Sequence, residues 1–420
     1  MFETALRSDG QRRLAEIGSN DLLIGIPSYK NEQTIGTVIR IAAEGANKYF
    51  PNLKSAIAVV DGGSSDETVR VAMNQPIPPS VHRIVASYQG IQGKGSAVRS
   101  IFEITRAVNA QACVVLEADL YSVTPEWIQK MATPILNREY DLAIPNYARP
   151  LVEGAVNDIL AYPLTRILYN ANVRGPMAGD FAISGDLASK LHNRDVWETD
   201  VARHGIDVWI TTIAINENLR MCQTPLTPKI ENKREAAVAF DPGFVQSVGT
   251  LFRMLEIYRK RWPETKPLRE IPSCGENPTH GNQRLPSGIT IEMLSDAFHS
   301  GARRYKRLWR STLLPVNYDE IMKLFDKPRG ALHFPADLWA RAVFDFAVVY
   351  NQGENDPDKI AAALLPLYYA RIATILHETG GKLDAVEQVV QEQAKVFAQQ
   401  KQYLVERWRT FVPWAADGVR

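Results

Sequence analysis

The residues best suited to chemistry follow four apolar runs in the first third of the sequence. They read PSYKNE at 27–32, DGGSSD at 61–66, GKG at 93–95 and EAD at 117–119. An acid at the end of a buried strand, with a second acid two residues before it, suits a hard divalent cation that also binds phosphate oxygens. The EAD segment therefore indicates either a metal site beside a phosphate or a solvated turn.

Asp61 and Lys94 suggest the remainder of a nucleotide site. An acid followed by two glycines can accept a hydrogen bond from a base or a ribose, because the glycines let a flat ring approach the backbone. A lysine between two glycines, just before a helix, suits a phosphate. The upstream glycines of a Walker A loop are absent, and each motif taken alone also fits a tight turn before a helix.

Alternating strands and helices must position these residues. Apolar runs predict strands, and a segment with apolar residues at helical spacing follows each of them. Such strands predict a parallel α/β sheet covered on both faces, whose ligands bind beyond the carboxyl ends of the strands. The predicted strands are 21–29, 55–63, 81–88 and 112–120, and the predicted helices are 34–50, 65–75, 95–110 and 124–136.

The length and composition of the chain limit the classes of protein to which it can belong. A chain of 420 residues is too long for one ordinary core, and 45% apolar with 23% charged residues excludes a disordered or fibrous protein. Lys and Arg number 48 against 47 Asp and Glu, which disfavours a strongly basic nucleic-acid binder or a polybasic membrane binder. We predict an α/β domain over 1–262, a linker rich in Pro and Gly over 263–287, and an α-helical domain over 288–420.

The cysteines and the apolar segments indicate a cytoplasmic protein. Cys113, Cys222 and Cys274 are far apart and form neither a disulfide framework nor a zinc motif. The first residues are charged and lack the apolar region of a signal peptide. Pro366 and Arg371 interrupt the longest apolar stretch, which predicts a core helix and no membrane span.

The order of the four motifs resembles that of GT-A glycosyltransferases, which use nucleotide-sugar donors. Four further segments are similar to the mannosylglycerate synthase and glucosyl-3-phosphoglycerate synthase families. The resemblance covers roughly residues 20–240, and it implies a Rossmann-like GT-A domain followed by a helical C-terminal domain. The four segments are EADLYSVTPEWIQKMATPIL, YARP, GPMAGDFAISGDLASKL and HGIDVWITT.

The resemblance also implies roles for individual residues. Asp119 would be a metal ligand, and Lys94 would lie near the diphosphate of the donor. Asp180 and Asp207 would lie beside the transferred sugar and, with Lys94, would form the catalytic group. The residues implied for nucleotide-sugar binding are Pro27, Tyr29, Glu32, Asp61, Lys94, Glu117 and Gly179.

The same resemblance implies one residue that binds the acceptor and one more ligand for the metal. Arg149 in NYARP matches an arginine that binds the acceptor carboxylate together with Asp207, and a guanidinium binds a carboxylate in bidentate fashion. Asn232 matches a metal-binding histidine of these families, and an Asn carbonyl can bind a hard cation such as Mg²⁺ or Mn²⁺. Lys233 and Arg234, which follow it, are alternative phosphate contacts.

The resemblance therefore implies a retaining glycosyltransferase. It would move glucose or mannose from a UDP- or GDP-hexose to glycerate, 3-phosphoglycerate or a similar hydroxy acid, making a compatible solute of the glucosylglycerate or mannosylglycerate type. A front-face transfer and a glycosyl-enzyme intermediate both stay open. The alternatives are an inverting enzyme acting on a lipid or polysaccharide, with Asp207 as base, and a non-catalytic nucleotide-sugar-binding protein. We expect neither nucleic acid nor membrane as a partner, and a homodimer is possible.

Overall fold

The computed structural model describes residues 4–232, 238, 241–264, 266–276, 283–285, 287–328 and 332–412. It divides into two compact units that alternate along the chain. The first unit comprises Met1–Ala148, Arg174–Arg234 and Glu270–Pro278, and the second comprises Arg149–Val173, Glu235–Arg269 and Thr279–Arg420. No single cut along the chain separates these units. The predicted division into 1–262, 263–287 and 288–420 stays a prediction.

The first unit is built on a mixed seven-stranded sheet. Its order is β3-β2-β1-β4-β7-β5-β8, and β7 runs antiparallel to both of its neighbours. The α/β prediction is confirmed, and the four predicted strands overlap the first four observed ones. The strands are β1 (Leu22–Ser28), β2 (Ser55–Asp61), β3 (Val81–Ser87), β4 (Ala112–Val115), β5 (Leu142–Asn146), β7 (Phe181–Ser184) and β8 (Met221–Pro225).

Helices flank this sheet, and their packing explains the near-continuous apolar strands. All of β2 is buried, as a strand covered on both faces requires. The side chain of Ile101 occupies the place where a Cβ on Gly25 would lie, so a helix packs closely against β1. The helices are α1 (Ser8–Ile17), α2 (Ile35–Tyr49), α3 (Thr68–Asn74), α4 (Lys94–Ala107), α5 (Pro125–Leu136), α8 (Gly185–His192) and α9 (Ile206–Asn216), with a 3-10 turn at Asp200–Ala202.

The second unit is mainly helical, as predicted for the C-terminal part of the chain. It contains α6 (Leu151–Ala155), a π-helical turn (Val156–Ala161), α7 (Tyr162–Tyr169), α10 (Pro242–Ile257), α11 (Ile291–Thr312), α12 (Pro315–Phe325), α13 (Ala336–Gln352), α14 (Pro357–Thr379), α15 (Leu383–Gln399) and α16 (Lys401–Thr410). Two short strands, β6 (Ala171–Asn172) and β9 (Arg269–Glu270), form a separate small sheet.

The apolar helix α14 lies in the core of the second unit. It is long and apolar enough to cross a membrane by length and composition, but 83% of its most apolar stretch is buried inside the protein. Gly301 of α11 lets the two helices approach closely, because a Cβ there would overlap Pro366. The indole nitrogen of Trp309 donates to the Ala363 carbonyl at 2.8 Å. These contacts are those of a core helix.

Candidate active site

The strand order brings three of the four predicted motifs to one edge of the sheet. β1 lies between β2 and β4, and all three strands are parallel. Their carboxyl ends therefore carry segments 27–32, 61–66 and 117–119 side by side. The Thr34 hydroxyl donates to the Ala118 carbonyl at 2.7 Å, which joins the segment after β1 to the segment after β4.

Lys94 joins this edge from the first residue of α4. Its ammonium lies 2.8 Å from Glu117 Oε1, 2.9 Å from Asp207 Oδ2 and 2.8 Å from the Gly179 carbonyl oxygen. Burial opposes the charge on the lysine, but the carboxylates of Asp207 and Glu117 outweigh it and raise the pKa of Lys94. Gly95 allows this placement, because a Cβ there would overlap the Val201 carbonyl.

A second lysine, which the sequence reading did not identify, lies at the centre of the site. The ammonium of Lys229 is fully buried and lies 3.0 Å from Asp180 Oδ2 and 3.0 Å from Glu231 Oε1. It also forms a short ion pair with Glu117 and donates to the Ala178 carbonyl at 3.1 Å. Burial opposes its charge, but the carboxylates of Asp180, Glu117 and Glu231 hold the pKa of Lys229 well above its usual range.

Asp180 is fully buried and fixes the backbone of the motif after β4. Its Oδ1 accepts a hydrogen bond from the Glu117 amide at 2.8 Å, and its Oδ2 accepts one from the Tyr147 hydroxyl at 3.0 Å. Tyr147 in turn stacks on Trp127, with ring centroids 5.7 Å apart. The neighbouring Gly179 has φ +91, and a Cβ there would lie 2.5 Å from Glu117 Oε2. Only glycine fits this position without strain.

Asp207 lies in the first turn of α9, where the positive end of the helix dipole favours an acid. Both of its oxygens contact the ammonium of Lys94, at 3.2 and 2.9 Å. Burial nevertheless raises its pKa, and the lysine offsets that effect only in part. The structure therefore brings together the three residues predicted to be catalytic, Lys94, Asp180 and Asp207, although nothing in it tests their roles.

Three carboxylates form a group that could hold a metal ion. One oxygen from each of Glu117, Asp119 and Glu231 lies within 4.8 Å of the others. Glu231 reaches this position because Leu120 and Glu231 form an antiparallel bridge, while the Asn232 amide donates to the Asp119 carbonyl at 2.7 Å.

The electrostatics of this group favour a cation. Burial and the charges of Glu117 and Glu231 raise the pKa of Asp119 to about 7. Burial also disfavours the charge on Glu117, but Lys229 and Lys94 outweigh it and hold the pKa of that carboxyl well below its usual range. A set of oxygen ligands with excess negative charge fits a hard cation such as Mg²⁺ or Mn²⁺. These three carboxylates would hold such an ion.

The residues predicted to bind the nucleoside surround the ends of β1 and β2. Asp61 is buried, and its carboxylate accepts hydrogen bonds from the amides of Gly63 and Ser64, both at 2.8 Å. Tyr29 is 44% exposed, and Glu32 accepts from the Glu67 amide at 2.9 Å. Pro27 lies in β1 opposite Val60 of β2. Their contacts with a nucleotide stay a prediction.

The two remaining predicted residues differ in their setting. The side-chain amide nitrogen of Asn232 donates to Gln33 Oε1 at 3.1 Å, whereas Glu231 belongs to the carboxylate group. Arg149 belongs to the second unit, so its role as an acceptor ligand stays a prediction. Lys233 and Arg234 lie outside the described residues.

One feature of the sequence indicates that Lys229 and Glu231 belong to the site, although the sequence analysis did not predict them. They follow β8, a parallel neighbour of β5 in the same sheet, in the segment LTPKIEN. Polar residues just beyond the end of a parallel strand are expected at the ligand-binding edge. The indole nitrogen of Trp127 donates to the Thr227 hydroxyl at 2.8 Å and fixes this segment.

Comparison with known proteins matches one family model to the part of the chain that carries segments 27–32, 61–66 and 117–119. Residues 23–161 match the family model Glycosyl transferase family 2. Glucosyl-3-phosphoglycerate synthase of Petrotoga mobilis is 26% identical over 192 residues, which cover 43% of this chain and 58% of that relative. The match thus spans less than two thirds of the relative's length.

Solved structures of glucosyl-3-phosphoglycerate synthase from Mycobacterium tuberculosis are also similar. A complex with Mn²⁺, UDP and glucosyl-3-phosphoglycerate is 17% identical, with a TM-score of 0.43 over 63% of this chain and 88% of that one. A complex with Mn²⁺, UDP-glucose and phosphoglyceric acid is 18% identical, with a TM-score of 0.43 over 60% and 85%. With TM-scores below 0.5, these two likenesses support no conclusion about this chain.

Proposed function

We propose that this protein is a retaining glycosyltransferase. It transfers a hexose, glucose or mannose, from a nucleoside diphosphate sugar to a small hydroxy acid such as glycerate or 3-phosphoglycerate. The observation that supports this most strongly is the ion-paired group of Lys94, Lys229, Glu117, Asp180 and Asp207, which shares Glu117 with the three carboxylates suited to a cation. The family 2 match and the name of the bacterial relative support the same reaction class.

Each part of the site has a task in this proposal. Glu117, Asp119 and Glu231 would hold a divalent cation, which would neutralise charge that develops on the departing diphosphate. Lys94 binds a phosphate oxygen of the donor, and its contacts with Asp207 and Glu117 keep it charged and oriented before the donor arrives. Asp207 accepts hydrogen bonds from the sugar hydroxyls, and the fully buried Asp180 holds the Glu117 backbone and Lys229 in place. Segments 27–32 and 61–66 hold the nucleoside. The three free thiols fit a reducing cytoplasm.

A thermal-shift and turnover screen tests the proposal. UDP-glucose, GDP-mannose and related donors would each be added with Mn²⁺ or Mg²⁺, because a true donor stabilises the folded protein by mass action. Donor consumption would then be followed with glycerate and with 3-phosphoglycerate. Stabilisation by one donor without hydrolysis or transfer would favour a non-catalytic binding protein, and no stabilisation by any donor would contradict the proposal.

The stereochemistry of the product is the first specific prediction. The carboxylates of Asp180 and Asp207 are each paired with a lysine, which lowers their nucleophilicity, and we expect a front-face transfer with retention. An α-linked donor should therefore give an α-glycoside. The H1–H2 coupling constant decides the matter for a glucosyl product, and the one-bond carbon–proton coupling at the anomeric carbon decides it for a mannosyl product. A β-linked product would favour the inverting alternative with Asp207 as base.

Arg149 should select an acidic acceptor. It precedes Pro150, which restrains its backbone, and Gly154 leaves room for its aliphatic stem. A bidentate pair with a carboxylate contributes roughly 1.5–3 kcal/mol. Arg149→Ala should therefore lower kcat/KM for the acceptor by about ten- to a hundredfold. Arg149→Lys should recover part of this loss, because a point charge does not reproduce the fork.

The Arg149 experiment includes its own control. The KM for the donor should hardly change in either variant, because other residues hold the nucleotide. Glycerol should be a much poorer acceptor than glycerate for the wild-type protein. If glycerol serves equally well, or if Arg149→Ala weakens donor binding instead, Arg149 does not bind the acceptor.

A further inference from the structure

The helix α11 carries a row of basic side chains that the proposed function does not use. Arg303, Lys306, Arg307 and Arg310 stand at positions i, i+3, i+4 and i+7, so they line one face of the helix. Arg304 lies beside this row, and all five residues are exposed. We call these five residues the basic stripe.

The basic stripe is held on a fixed support. The opposite face of α11 is buried and includes Leu294, Phe298 and Trp309. Trp309 donates to the Ala363 carbonyl of α14, and Gly301 packs against Pro366. The apolar face of α11 is therefore occupied within its own unit. The stripe faces solvent. Because the apolar face of α11 is already buried, the helix cannot insert that face into a partner or a membrane.

The charges of the stripe lack ion-pair partners in the part of the chain that the structure describes. No described carboxylate pairs with any of the five, although Arg341 of the same unit contacts both Glu320 and Asp337. Like charges at helical spacing repel each other and destabilise the helix. The whole chain carries a formal charge of only +1, so this stripe is a local concentration of positive charge.

We propose that the basic stripe docks the protein on a membrane surface containing anionic lipids. Four to eight basic residues on an amphipathic helix are typical of such electrostatic contacts, and arginine forks bind lipid phosphates well. Val316, four residues after the end of α11, is 55% exposed and adds an exposed apolar side chain. The binding is peripheral and reversible, because the apolar face of α11 is buried within its own unit.

The stripe suits a broad anionic surface better than a nucleic acid. Seven residues of helix span only about 10 Å, which covers few phosphates of one strand. Proteins that bind single strands add exposed aromatic rings for base stacking. Tyr305, which lies between Arg304 and Lys306 in the sequence, is half-buried, and the Arg304 guanidinium lies 5.3 Å from the centre of its ring. The expectation that the protein has no membrane partner rests on its net charge. Net charge does not show where basic residues cluster on the surface.

Vesicle co-sedimentation tests this proposal. The full-length protein should bind vesicles of phosphatidylcholine with 30% phosphatidylglycerol at low salt and should not bind pure phosphatidylcholine. Each neutralised charge should lower the partition coefficient about fivefold. Arg303→Gln with Arg307→Gln should therefore lower it about 25-fold, and raising the salt to 0.5 M should abolish binding. Arg303→Lys with Arg307→Lys should retain most of it.

Matched controls separate the stripe from general charge effects. Lys359→Gln with Lys395→Gln removes the same net charge from exposed positions of the same unit and should leave vesicle binding nearly unchanged. Sugar transfer in solution should be the same for all these variants, so this result does not depend on the proposed function. Any one of three results would overturn the proposal. The control pair could lose vesicle binding equally, the wild-type protein could fail to bind anionic vesicles, or it could bind a 20-base-pair DNA duplex more tightly at the same salt.

Discussion

Asp119→Asn should lower the rate of sugar transfer by at least about a thousandfold and leave the protein folded. Asp119 shares the carboxylate group with Glu117 and Glu231, and burial beside these charges raises its pKa to about 7. Its replacement exchanges a charged ligand for a neutral and weaker one and so weakens binding of the cation. The cation contributes several kcal/mol to stabilising charge in the transition state. Steady-state rates with UDP-glucose and Mn²⁺ would measure the loss.

The folding control follows from the same electrostatics. Because the unliganded site holds excess negative charge, removing one carboxylate charge should leave the melting temperature unchanged or raise it slightly. The variant should also lose the stabilisation that Mn²⁺ gives to the wild-type protein. Full activity of Asp119→Asn, or full wild-type activity in excess chelator, would contradict the assignment of the cation site.

Lys229→Met should destabilise the first unit strongly. Lys229 and Asp180 are both fully buried, and Lys229 also pairs with Glu117 and Glu231. Removing the ammonium leaves buried carboxylates without their cation, and breaking a buried ion pair costs about 3–5 kcal/mol. For a unit of this size we expect the melting temperature to fall by about 10 °C. Calorimetry and urea denaturation would measure the change.

Two variants control the Lys229 experiment. Lys48→Met removes a lysine of the same unit whose pair with Glu126 is exposed, and it should change stability little. Asp180→Asn combined with Lys229→Met should recover part of the lost stability, because the two residues are coupled. If Lys229→Met and Lys48→Met melt at the same temperature, Lys229 does not compensate the buried acids.

The sequence allowed prediction of those parts of the site that follow consecutive parallel strands. β1, β2 and β4 each bury a short apolar run, and parallel strands end at one edge of the sheet. The positions of segments 27–32, 61–66 and 117–119 therefore followed from pattern alone. Gly95 and Gly179 were visible as glycines, but the close contacts that require them come from residues far along the chain.

The carboxylate group of Glu117, Asp119 and Glu231 shows why the other site residues could not be predicted in the same way. Successive residues of an extended segment point to opposite sides, so Glu231 and Asn232 cannot both face the same group. The bridge between Leu120 and Glu231 sets which of them does, and that register depends on pairing between distant segments. The resemblance identified the segment and implied the role for Asn232, whose side-chain amide donates to Gln33 in the structure.

The division into units has the same physical origin. Segment 149–173 and most of segment 235–269 lie within the predicted α/β domain of 1–262, and both segments belong to the second unit. Local helical pattern indicates that a segment is a helix but not which partner buries its apolar face. Trp339 of α13, for example, donates to the Ile159 carbonyl, 180 residues earlier in the chain.

Transfer from UDP-glucose to 3-phosphoglycerate, with and without Mn²⁺, tests the central proposal most directly. Product would be detected by mass spectrometry and by proton NMR, alongside release of UDP. We predict an α-linked glucosyl product that requires the cation and is lost in Asp119→Asn. Binding of UDP-glucose without transfer to any hydroxy acid, with GDP-mannose equally inactive, would contradict the account.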